Sequence, residues 1–483
     1  IVIDPRKIDL VKYADIWLCQ KPGTDVAVLN GLMNVILTEG LEAKDYIKDR
    51  TEGFDALKAM VAKYTPEYVE KISGVPAEDL KKAARLYAGA KRASILYAMG
   101  ITQHISGTDN VKSIANLSML CGNVGIEGGG VNPLRGQNNV QGACDMGGLP
   151  NVYPAYQQVA AEDARKKFES AWGAVLSPKP GLTLMEMMAA AGDGRIKALY
   201  IMGENPLLSD PDLHHVKKEL QNLDLLVVQD LFLTETAEIA DVVLPVASFA
   251  EKDGTFSNTE RRVQRVRKAI EPPGEAKTDW EVICGISNQF GYPMSYTSAE
   301  DIFEEIRTLT PSYAGITYSR IEKEGLQWPC PTTDHQGTKF LHKDRFSRGL
   351  GLFSAIEYIP PDELPDKDYP LLLTTGRVLY HYHTGTMTTR AEGPSERYPE
   401  SLVEINPQDA NKLGIIDGQT VVVTSRRGEV EAKAQITEKS TPGTIFMNFH
   451  FTNTPVNLLT NPALDPTGKI PEFKVCAVKL KAA

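Results

Sequence analysis

The chain has 483 residues, with 52 Lys and Arg against 62 Asp and Glu, and a formal net charge of −10 at pH 7. This acidity argues against general nucleic-acid binding, which needs a basic face, although one local arginine can still attract a small anion inside a cleft. Hydrophobic residues make up 42% of the chain, as in ordinary globular proteins. The length suggests about three domains of roughly 150 residues each.

The six cysteines are scattered along the chain and form no C-x-x-C pair. A chain of this length does not need disulfides, so we expect reduced and mostly buried thiols. An iron–sulfur cluster requires clustered thiolates, which this arrangement does not provide. No apolar run approaches the ~18–20 residues of a membrane helix. The chain opens with Ile1 inside a strand-like run, so we expect it to be a fragment with a further segment upstream.

Short β-rich runs alternate with helical patterns through the first 250 residues. The strand candidates are 1-IVID, 94-SILYAMG, 197-KALYIMG and 224-DLLVVQD. The helical patterns are 25-DVAVLNGLMNVILTEG, 54-FDALKAMVAKY, 78-EDLKKAARLYAGA and 110-NVKSIANLSMLCGN. Strand–helix alternation predicts an α/β fold with parallel sheets and helices on their faces.

Each strand candidate ends in a polar or glycine-containing loop. These loops are Asp4-Pro5, Met99-Gly100, Gly203-Glu204-Asn205 and Gln229-Asp230. In open α/β sheets, ligands bind beyond the carboxyl ends of the strands. The four loops are therefore a candidate binding rim, although each alone is also compatible with an ordinary surface loop.

The region 250–365 is less regular than the residues before it. It contains two turn-rich stretches, 271-EPPGEAKTDWE and 359-IPPDELPDKDYP, of which the second is typical of a linker. The runs that follow are mostly strand-like: 371-LLLTTGR, 402-LVEIN, 419-QTVVVTSRRGEVEAKAQI and 444-TIFMNFHF. They predict a separate β domain of barrel type.

The densest special segment is 121-CGNVGIEGGGVNPLRGQNNVQGACDMGG. Its glycines free the backbone to approach a ligand closely. Among them stand one arginine and four amides within seven residues: Arg135, Gln137, Asn138, Asn139 and Gln141. An arginine can bind a carboxylate through two hydrogen bonds and keeps its charge at any working pH. The alternative is a polar, glycine-rich surface loop.

A second segment, 374-TTGRVLYHYHTGTMTTR, follows a strand candidate. Backbone amides, hydroxyls and Arg377 in one turn suit a phosphate. His381 and His383 alternate, so both could face one side of an extended segment. As metal ligands they would need further partners, which are not spaced nearby, so a satisfied polar role is the favoured interpretation. His104, alone in 99-MGITQH, is a weaker candidate. No G-x-S-x-G, Walker A or G-x-G-x-x-G motif is present.

These segments resemble the molybdenum- or tungsten-dependent formate dehydrogenases of the dimethyl sulfoxide reductase superfamily. The resemblance covers essentially the whole chain, with 133-PLRGQNNVQGACDMG as its strongest motif, supported by 20-QKPGTD, 99-MGITQH, 202-MGENP, 375-TGRVLYHYHTG and 471-PEFKVCAVKL. It implies two Rossmann-like parallel-sheet domains, at 1–137 and 138–249, and an irregular connecting region at 250–365. A C-terminal six-stranded double-psi β-barrel at 366–483 completes the expected architecture.

The resemblance also implies two molybdopterin guanine dinucleotides that hold molybdenum or tungsten. Positions that match contacts to a guanosine or a pterin are Asp4, Pro5, Arg6, Gly23, Thr24, Asp25, Met99 and Gln103. Positions that match contacts to the other dinucleotide are Asn205, Gln229, Asp230, Lys252 and Asp279. Positions in the barrel domain are Thr375, Gly376, Arg377, Val378, His381, His383, Thr384, Phe449, Asn457 and Lys474.

Arg135 matches the arginine that binds the formate carboxylate in this family, whereas the resembling nitrate-reducing enzymes lack an arginine at this point. Gln137 is expected to orient Arg135 or a pterin, and His104 to line the same pocket. The implied reaction is HCOO⁻ → CO₂ + H⁺ + 2e⁻, in either direction, with the redox chemistry carried by the cofactor.

The family's cluster-binding cysteine motif, its 4Fe-4S cluster and its cysteine or selenocysteine metal ligand are expected upstream of Ile1. We therefore expect the chain to be inactive alone and to work with an iron–sulfur electron-transfer subunit or another redox partner. A cytoplasmic location is expected, with no nucleic-acid partner and no membrane span in this chain. Two alternatives stay open: another oxidoreductase of the superfamily, and a non-catalytic cofactor-binding scaffold subunit.

Overall fold

The computed structural model describes all residues, 1–483, which divide into two compact units. The first unit comprises Ile1–Pro133, Leu208–His215 and Phe340–Ala483. The second unit comprises Leu134–Leu207 and Val216–Lys339. The first unit is therefore built from segments that are far apart in the sequence.

The α-helices of the chain follow one another between short strands and turns. Before residue 133 they are Asp25–Thr38, Lys44–Arg50, Phe54–Val61, Pro66–Ser73, Ala77–Ala88, Met99–Thr102 and Gly107–Leu120. Further along they are Val140–Asp145, Glu162–Trp172, Leu184–Gly192, Pro206–Ser209, Leu213–Gln221, Glu235–Glu238, Asp279–Gln289, Ala299–Leu309, Glu392–Arg397 and Pro407–Leu413. None of these helices combines the length and the hydrophobicity that a membrane crossing requires.

The helical core of the first unit forms around Asp25–Thr38, which is buried along almost its whole length. The amphipathic helix Ala77–Ala88 packs against it and buries Leu80, Ala83 and Ala84, at the spacing that the sequence predicted. Three pairs of short parallel strands accompany these helices: Val2–Ile3 with Trp17–Leu18, Ser94–Tyr97 with Gly130–Pro133, and Thr51–Glu52 with Gly351–Leu352.

A closed six-stranded barrel completes the first unit. Its strands are Leu371–Gly376, Leu402–Ile405, Thr420–Thr424, Glu429–Ile436, Thr444–Asn448 and Cys476–Ala482. Parallel and antiparallel pairs are mixed, and Glu429–Ile436 alternates between exposed and buried side chains, as a barrel wall should. The predicted barrel is confirmed, with Cys476–Ala482 as a sixth strand that the strand-like runs had not included.

The second unit contains a three-stranded parallel sheet of Ala198–Met202, Leu225–Asp230 and Val242–Pro245. An antiparallel sheet is formed by Gly254–Ser257, Arg262–Val266 and Leu326–Gln327, and a small hairpin by Val152–Tyr153 and Gln157–Gln158. The parallel sheet and its helices share one apolar core, and a second core of Phe303, Tyr313, Tyr318 and neighbours packs beside Val263. The predicted α/β class is therefore confirmed.

Two differences from the sequence analysis have physical causes. The strand expected at 94–100 ends at Tyr97, because Met99 begins a short helix. The region 250–365 is more regular than expected, since it holds four strands and the 11-residue helices Asp279–Gln289 and Ala299–Leu309. The first of these helices begins with a Thr278/Glu281 capping box, a start signal inside the stretch that had been interpreted as turn-rich.

Candidate functional site

The loop after the first strand is fixed against the barrel through Arg6. Its guanidinium donates to both carboxylate oxygens of Glu404 at 2.7 Å and lies 3.4 Å from the centroid of the Phe446 ring. A bidentate arginine–carboxylate pair fixes geometry as well as charge. Residues 4–6, which were predicted to follow a strand at the binding rim, are thus held beside the barrel strands Leu402–Ile405 and Thr444–Asn448.

Lys474 places a buried positive charge in the same part of the first unit. Its Nζ donates to the carbonyl of Thr375 at 2.6 Å. Burial and the nearby charge of Arg377 together lower the pKa of Lys474 to about 7, although Asp4 opposes the shift. Burial also raises the pKa of the Asp4 carboxyl. The shifts show that Asp4, Lys474 and Arg377 lie close enough to interact, with a surplus of cations.

Arg377 lacks the partners that a buried guanidinium needs. Its Nε and Nη2 are buried without a hydrogen-bond acceptor, and its burial lowers its pKa. Its guanidinium carbon lies 5.8 Å from the centroid of the Phe449 ring. Because buried polar groups in folded proteins are almost always hydrogen-bonded, two orphaned donors on one cation indicate a place for an anion.

The loop that carries Arg377 is held by hydrogen bonds to residues between the barrel strands. His450 Nε2 accepts from the Val378 N–H at 3.0 Å, and burial lowers the pKa of His450 to about 4, so its imidazole is neutral. Thr375 donates to the Phe473 carbonyl at 2.7 Å, and His381 contacts Thr388 and the Tyr398 carbonyl. The segment is a series of turns in which His383 has a φ of 47°. The expected extended alternation of His381 and His383 is therefore wrong.

A second buried group in the first unit surrounds Asp25, the first residue of its helix. Gln20 donates to Asp25 at 3.3 Å, and His104 Nε2 lies 3.8 Å from the carboxylate and 2.9 Å from the Gly100 carbonyl. Burial raises the pKa of Asp25 and lowers that of His104. Gln20 Oε1 and His104 Nδ1 have no partner, which again indicates space for a polar ligand.

Other first-unit candidates make contacts of their own. Gly23 has a φ of +80°, and a Cβ there would overlap Pro361. Thr24 donates to the Lys21 carbonyl at 2.7 Å, and Met99 and Gln103 bound a short helix before His104. Asn457 donates to the Leu208 and Ser209 carbonyls at 3.1 and 2.9 Å, while its Oδ1 is buried without a partner.

The cofactor that the sequence resemblance implies fits this donor set. Arg6, Arg377 and Lys474 supply positive charge for phosphates, and Arg377 supplies two buried donors without acceptors. Asp25, a buried carboxylate at a helix start with an unpaired amide oxygen beside it, suits the N–H groups of a base. The first unit therefore has the chemistry to hold a phosphate-bearing dinucleotide.

The second unit contains the positions that the resemblance matches to the other dinucleotide, and most of them lie at the carboxyl ends of its parallel strands. Gln229 is the next-to-last residue of the strand Leu225–Asp230 and donates to Asp279 at 2.9 Å, and Lys252 forms an ion pair with the same Asp279. Tyr200 donates to Gln229. Asn205 lies just after the neighbouring strand, where its side chain accepts a hydrogen bond from the Thr236 hydroxyl and donates one to Glu235. The structure thus brings Gln229, Lys252 and Asp279 into one network.

Arg135 lies in the second unit, just before the helix Val140–Asp145. Its backbone N–H donates to the Thr259 hydroxyl at 3.1 Å, and its Nε donates to Gln141 Oε1 at 3.0 Å. The side chain thus bonds a neutral amide rather than a carboxylate. The residue that holds Arg135 is Gln141, which the sequence analysis named only as one amide of the cluster. The orienting role expected of Gln137 stays a prediction.

Two family models match the chain. One described as Molybdopterin oxidoreductase matches residues 1–289, and one described as Molydopterin dinucleotide binding domain matches residues 371–477. The second match covers most of the closed barrel, and the first covers the helical core and the parallel strands that precede it.

Curated relatives match over the whole chain. The F420-dependent formate dehydrogenase subunit alpha of Methanocaldococcus jannaschii is 56% identical and covers 100% of this chain and 72% of its own length. Formate dehydrogenase H of Escherichia coli is 42% identical, covering 100% and 68%. The assimilatory nitrate reductase catalytic subunit of Bacillus subtilis is 39% identical, covering 99% and 70%.

A solved structure shares the fold. The acetylene hydratase of Pelobacter acetylenicus superposes with a TM-score of 0.76 at 20% identity, over 100% of this chain and 73% of that one. Likeness at this level of identity concerns architecture, and it agrees with the order of helices, parallel strands and barrel.

Proposed function

Since this chain belongs to the molybdopterin oxidoreductase family, we propose that it is the catalytic subunit of a formate dehydrogenase and interconverts formate and CO₂. Formate dehydrogenase subunits are among its relatives at 56% and 42% identity, each matched over the whole chain. The reaction is HCOO⁻ → CO₂ + H⁺ + 2e⁻. The substrate is a small anion, so the chain must supply a cation at the reacting centre.

The observation that carries this proposal is the state of Arg135. Gln141 Oε1 accepts the hydrogen bond from Arg135 Nε. The two terminal nitrogens of Arg135 are therefore the donors that can bind a carboxylate side by side. Because negative charge leaves the substrate as CO₂ forms, Arg135 acts by orienting formate and not by binding it ever more tightly along the reaction. A lysine could supply the charge but not the paired geometry.

The cofactor is a molybdopterin dinucleotide with molybdenum or tungsten, and when bound it supplies the acceptor for two electrons. We propose that Arg6, Arg377 and Lys474 hold phosphates of one dinucleotide and that Asp25 accepts from its base. Gln229, Lys252 and Asp279 are proposed contacts to the second dinucleotide. A 4Fe-4S cluster that takes the electrons onward, and the cytoplasmic location, remain part of this proposal and rest on the family alone.

We further propose that the electrons pass to a redox partner subunit that reduces F420. Three relatives named F420-dependent formate dehydrogenase alpha subunits are 56%, 52% and 49% identical to this chain, against 42% for the Escherichia coli enzyme. The six cysteines of this chain are free and too scattered to hold a cluster, so the partner's cofactors would complete the path.

The test is formate oxidation by the complete, anaerobically purified enzyme, with a viologen dye and with F420 as acceptors. We expect Arg135→Ala to lower kcat/KM for formate by about two orders of magnitude or more, because substrate orientation is lost. The dinucleotide content should stay at the wild-type level. Arg195→Ala is the matched control, since Arg195 lies in the same unit and is exposed, paired only with Asp193.

Unchanged kcat/KM in Arg135→Ala would remove Arg135 from the substrate site. Reduction of nitrate, with no oxidation of formate, by the wild-type enzyme would instead favour the activity named for the Bacillus subtilis relative. A cofactor-loaded protein without turnover of either substrate would favour the scaffold alternative.

A further inference from the structure

Behind Arg135 lies an aspartate that is fully buried and that no step above uses. Asp145 has 0% of its surface exposed, in the interior of the second unit. Its Oδ1 accepts from Gln141 Nε2 at 2.7 Å and from the Tyr156 hydroxyl at 2.8 Å. Its Oδ2 accepts from the Tyr313 hydroxyl at 2.6 Å and from the Trp328 indole at 2.7 Å. Four side-chain donors on one buried carboxylate make a fully satisfied network.

This network determines which way the Gln141 amide points. An amide has one accepting end and one donating end, and a carboxylate that accepts from four donors has no proton to give. The donating end of Gln141 must therefore face Asp145. The Tyr156 hydroxyl donates its hydrogen bond to Asp145. Towards Gln141 it can therefore only accept, from Nε2 at 3.0 Å. Both neighbours leave Gln141 Oε1 as the end that faces Arg135 Nε.

We propose that Asp145 is a positioning residue for formate oxidation, which acts on Arg135 through Gln141. With the amide fixed, Nε of Arg135 is occupied and its two terminal nitrogens are directed at the substrate carboxylate. With the amide reversed, an N–H group would face the Nε–H group of Arg135, and the guanidinium would turn away. The inference rests on the proposed role of Arg135 as the formate-binding residue.

The test is Asp145→Asn in the complete enzyme, because asparagine keeps the shape and can donate as well as accept. We expect the Gln141 amide to lose its unique orientation and kcat/KM for formate to fall roughly tenfold to a hundredfold, the scale of a misplaced catalytic group. Asp465→Asn is the matched control. Asp465 is also a buried aspartate that accepts several hydrogen bonds, from Thr108 and Thr467, but it lies in the first unit.

A purely structural role is separated by a double-mutant cycle with Gln141→Met, which removes the intermediary. If Asp145 acts through Gln141, Asp145→Asn should cost less than about threefold once Gln141 is gone. If the losses of kcat/KM from the two substitutions multiply in the double variant, and Asp145→Asn lowers the melting temperature equally with and without Gln141, Asp145 only stabilises the fold. A crystal structure of Asp145→Asn with Arg135 unmoved would overturn the proposal independently of activity.

The same series keeps the two proposals apart. Wild-type enzyme without formate turnover contradicts the proposed function, whatever the variants do. Active wild-type enzyme whose Asp145→Asn variant retains full kcat/KM contradicts only the positioning role of Asp145.

Discussion

At the scale of single residues, Arg377 has the least satisfied side chain of the candidate site. Two of its buried nitrogens have no acceptor, and its burial disfavours the charged form. A phosphate oxygen would correct both conditions. In the complete enzyme we expect Arg377→Gln to lower the retained dinucleotide content, since a hydrogen bond to a charged group contributes about 1.5–3 kcal/mol. The measurement is pterin and metal content per protein after gel filtration.

The control for Arg377→Gln is Arg390→Gln. Arg390 lies thirteen residues further along the same segment, is exposed and donates to the Thr386 carbonyl. Its replacement should leave dinucleotide content unchanged. If the two variants lose cofactor equally, substitution anywhere in the segment disturbs cofactor binding, and Arg377 has no specific role in binding phosphate.

The sequence located many site residues but few of the residues that hold them. Polar side chains at strand ends, such as Asp4 and Gln229, were found because the carboxyl ends of parallel strands share one edge. Glu404, which fixes Arg6 from 398 residues away, gave no signal, because its pairing exists only after the barrel has closed. His450 was likewise overlooked, because it stood as one polar residue inside the strand-like run 444-TIFMNFHF.

At the scale of elements, the turn before the helix Asp25–Thr38 depends on Gly23. Its φ of +80° favours glycine, and a Cβ there would also overlap Pro361. Gly40, after the same helix, has a φ of +69° with nothing near its Cβ position. We expect Gly40→Ala to cost only the left-handed strain, about 1–2 kcal/mol, and Gly23→Ala to add a packing cost of about 1–3 kcal/mol.

Thermal unfolding of both variants measures this difference, and only Gly23→Ala should also lose dinucleotide, because Thr24 and Asp25 follow the displaced turn. Equal melting temperatures and equal cofactor contents in the two variants would show that Pro361 can move aside at little cost and that the turn does not require a glycine at position 23.

Elements with strong periodicity were predictable, and elements started by local hydrogen bonds were less so. The helix at 77–88 and the alternating barrel strand at 429–436 carry their apolar spacing in the sequence. The helix Asp279–Gln289 has no buried residue, so the sequence carries no apolar stripe that predicts it. Its capping box is the main sequence feature that indicates a helix start. The strand Cys476–Ala482 depends on partners at 371–373 and 421–424, which the local sequence does not show.

At the scale of the whole molecule, the first unit joins residues from both ends of the chain, which sequence periodicity does not reveal. Glu472 is one of the side chains that makes this connection. It is fully buried, and its carboxylate accepts from the Ile105 N–H at 3.4 Å and from the Asp362 N–H at 3.1 Å. Three distant segments therefore meet at one carboxyl group. The domain boundaries inferred from the sequence stay predictions.

Burial raises the pKa of Glu472 to about 7, although the two backbone N–H groups oppose the shift. Because the folded pKa lies above the ordinary value of 4.5, the folded state binds the proton more tightly. The stabilisation is complete below the unfolded pKa and is lost as pH rises through about 7. Its full size is at most about 3 kcal/mol, from 1.36 kcal/mol per pKa unit.

Glu472→Gln is uncharged at every pH and should remove this dependence. We expect the melting temperature of the wild-type protein, relative to that of the variant, to fall as the pH is raised from about 5 to about 8. Glu429→Gln, on the exposed face of a barrel strand, is the control and should run parallel to the wild type. If the Glu472→Gln curve is also parallel, the carboxyl group is already ionised in the folded protein, and the junction of the three segments is held by an anion at neutral pH.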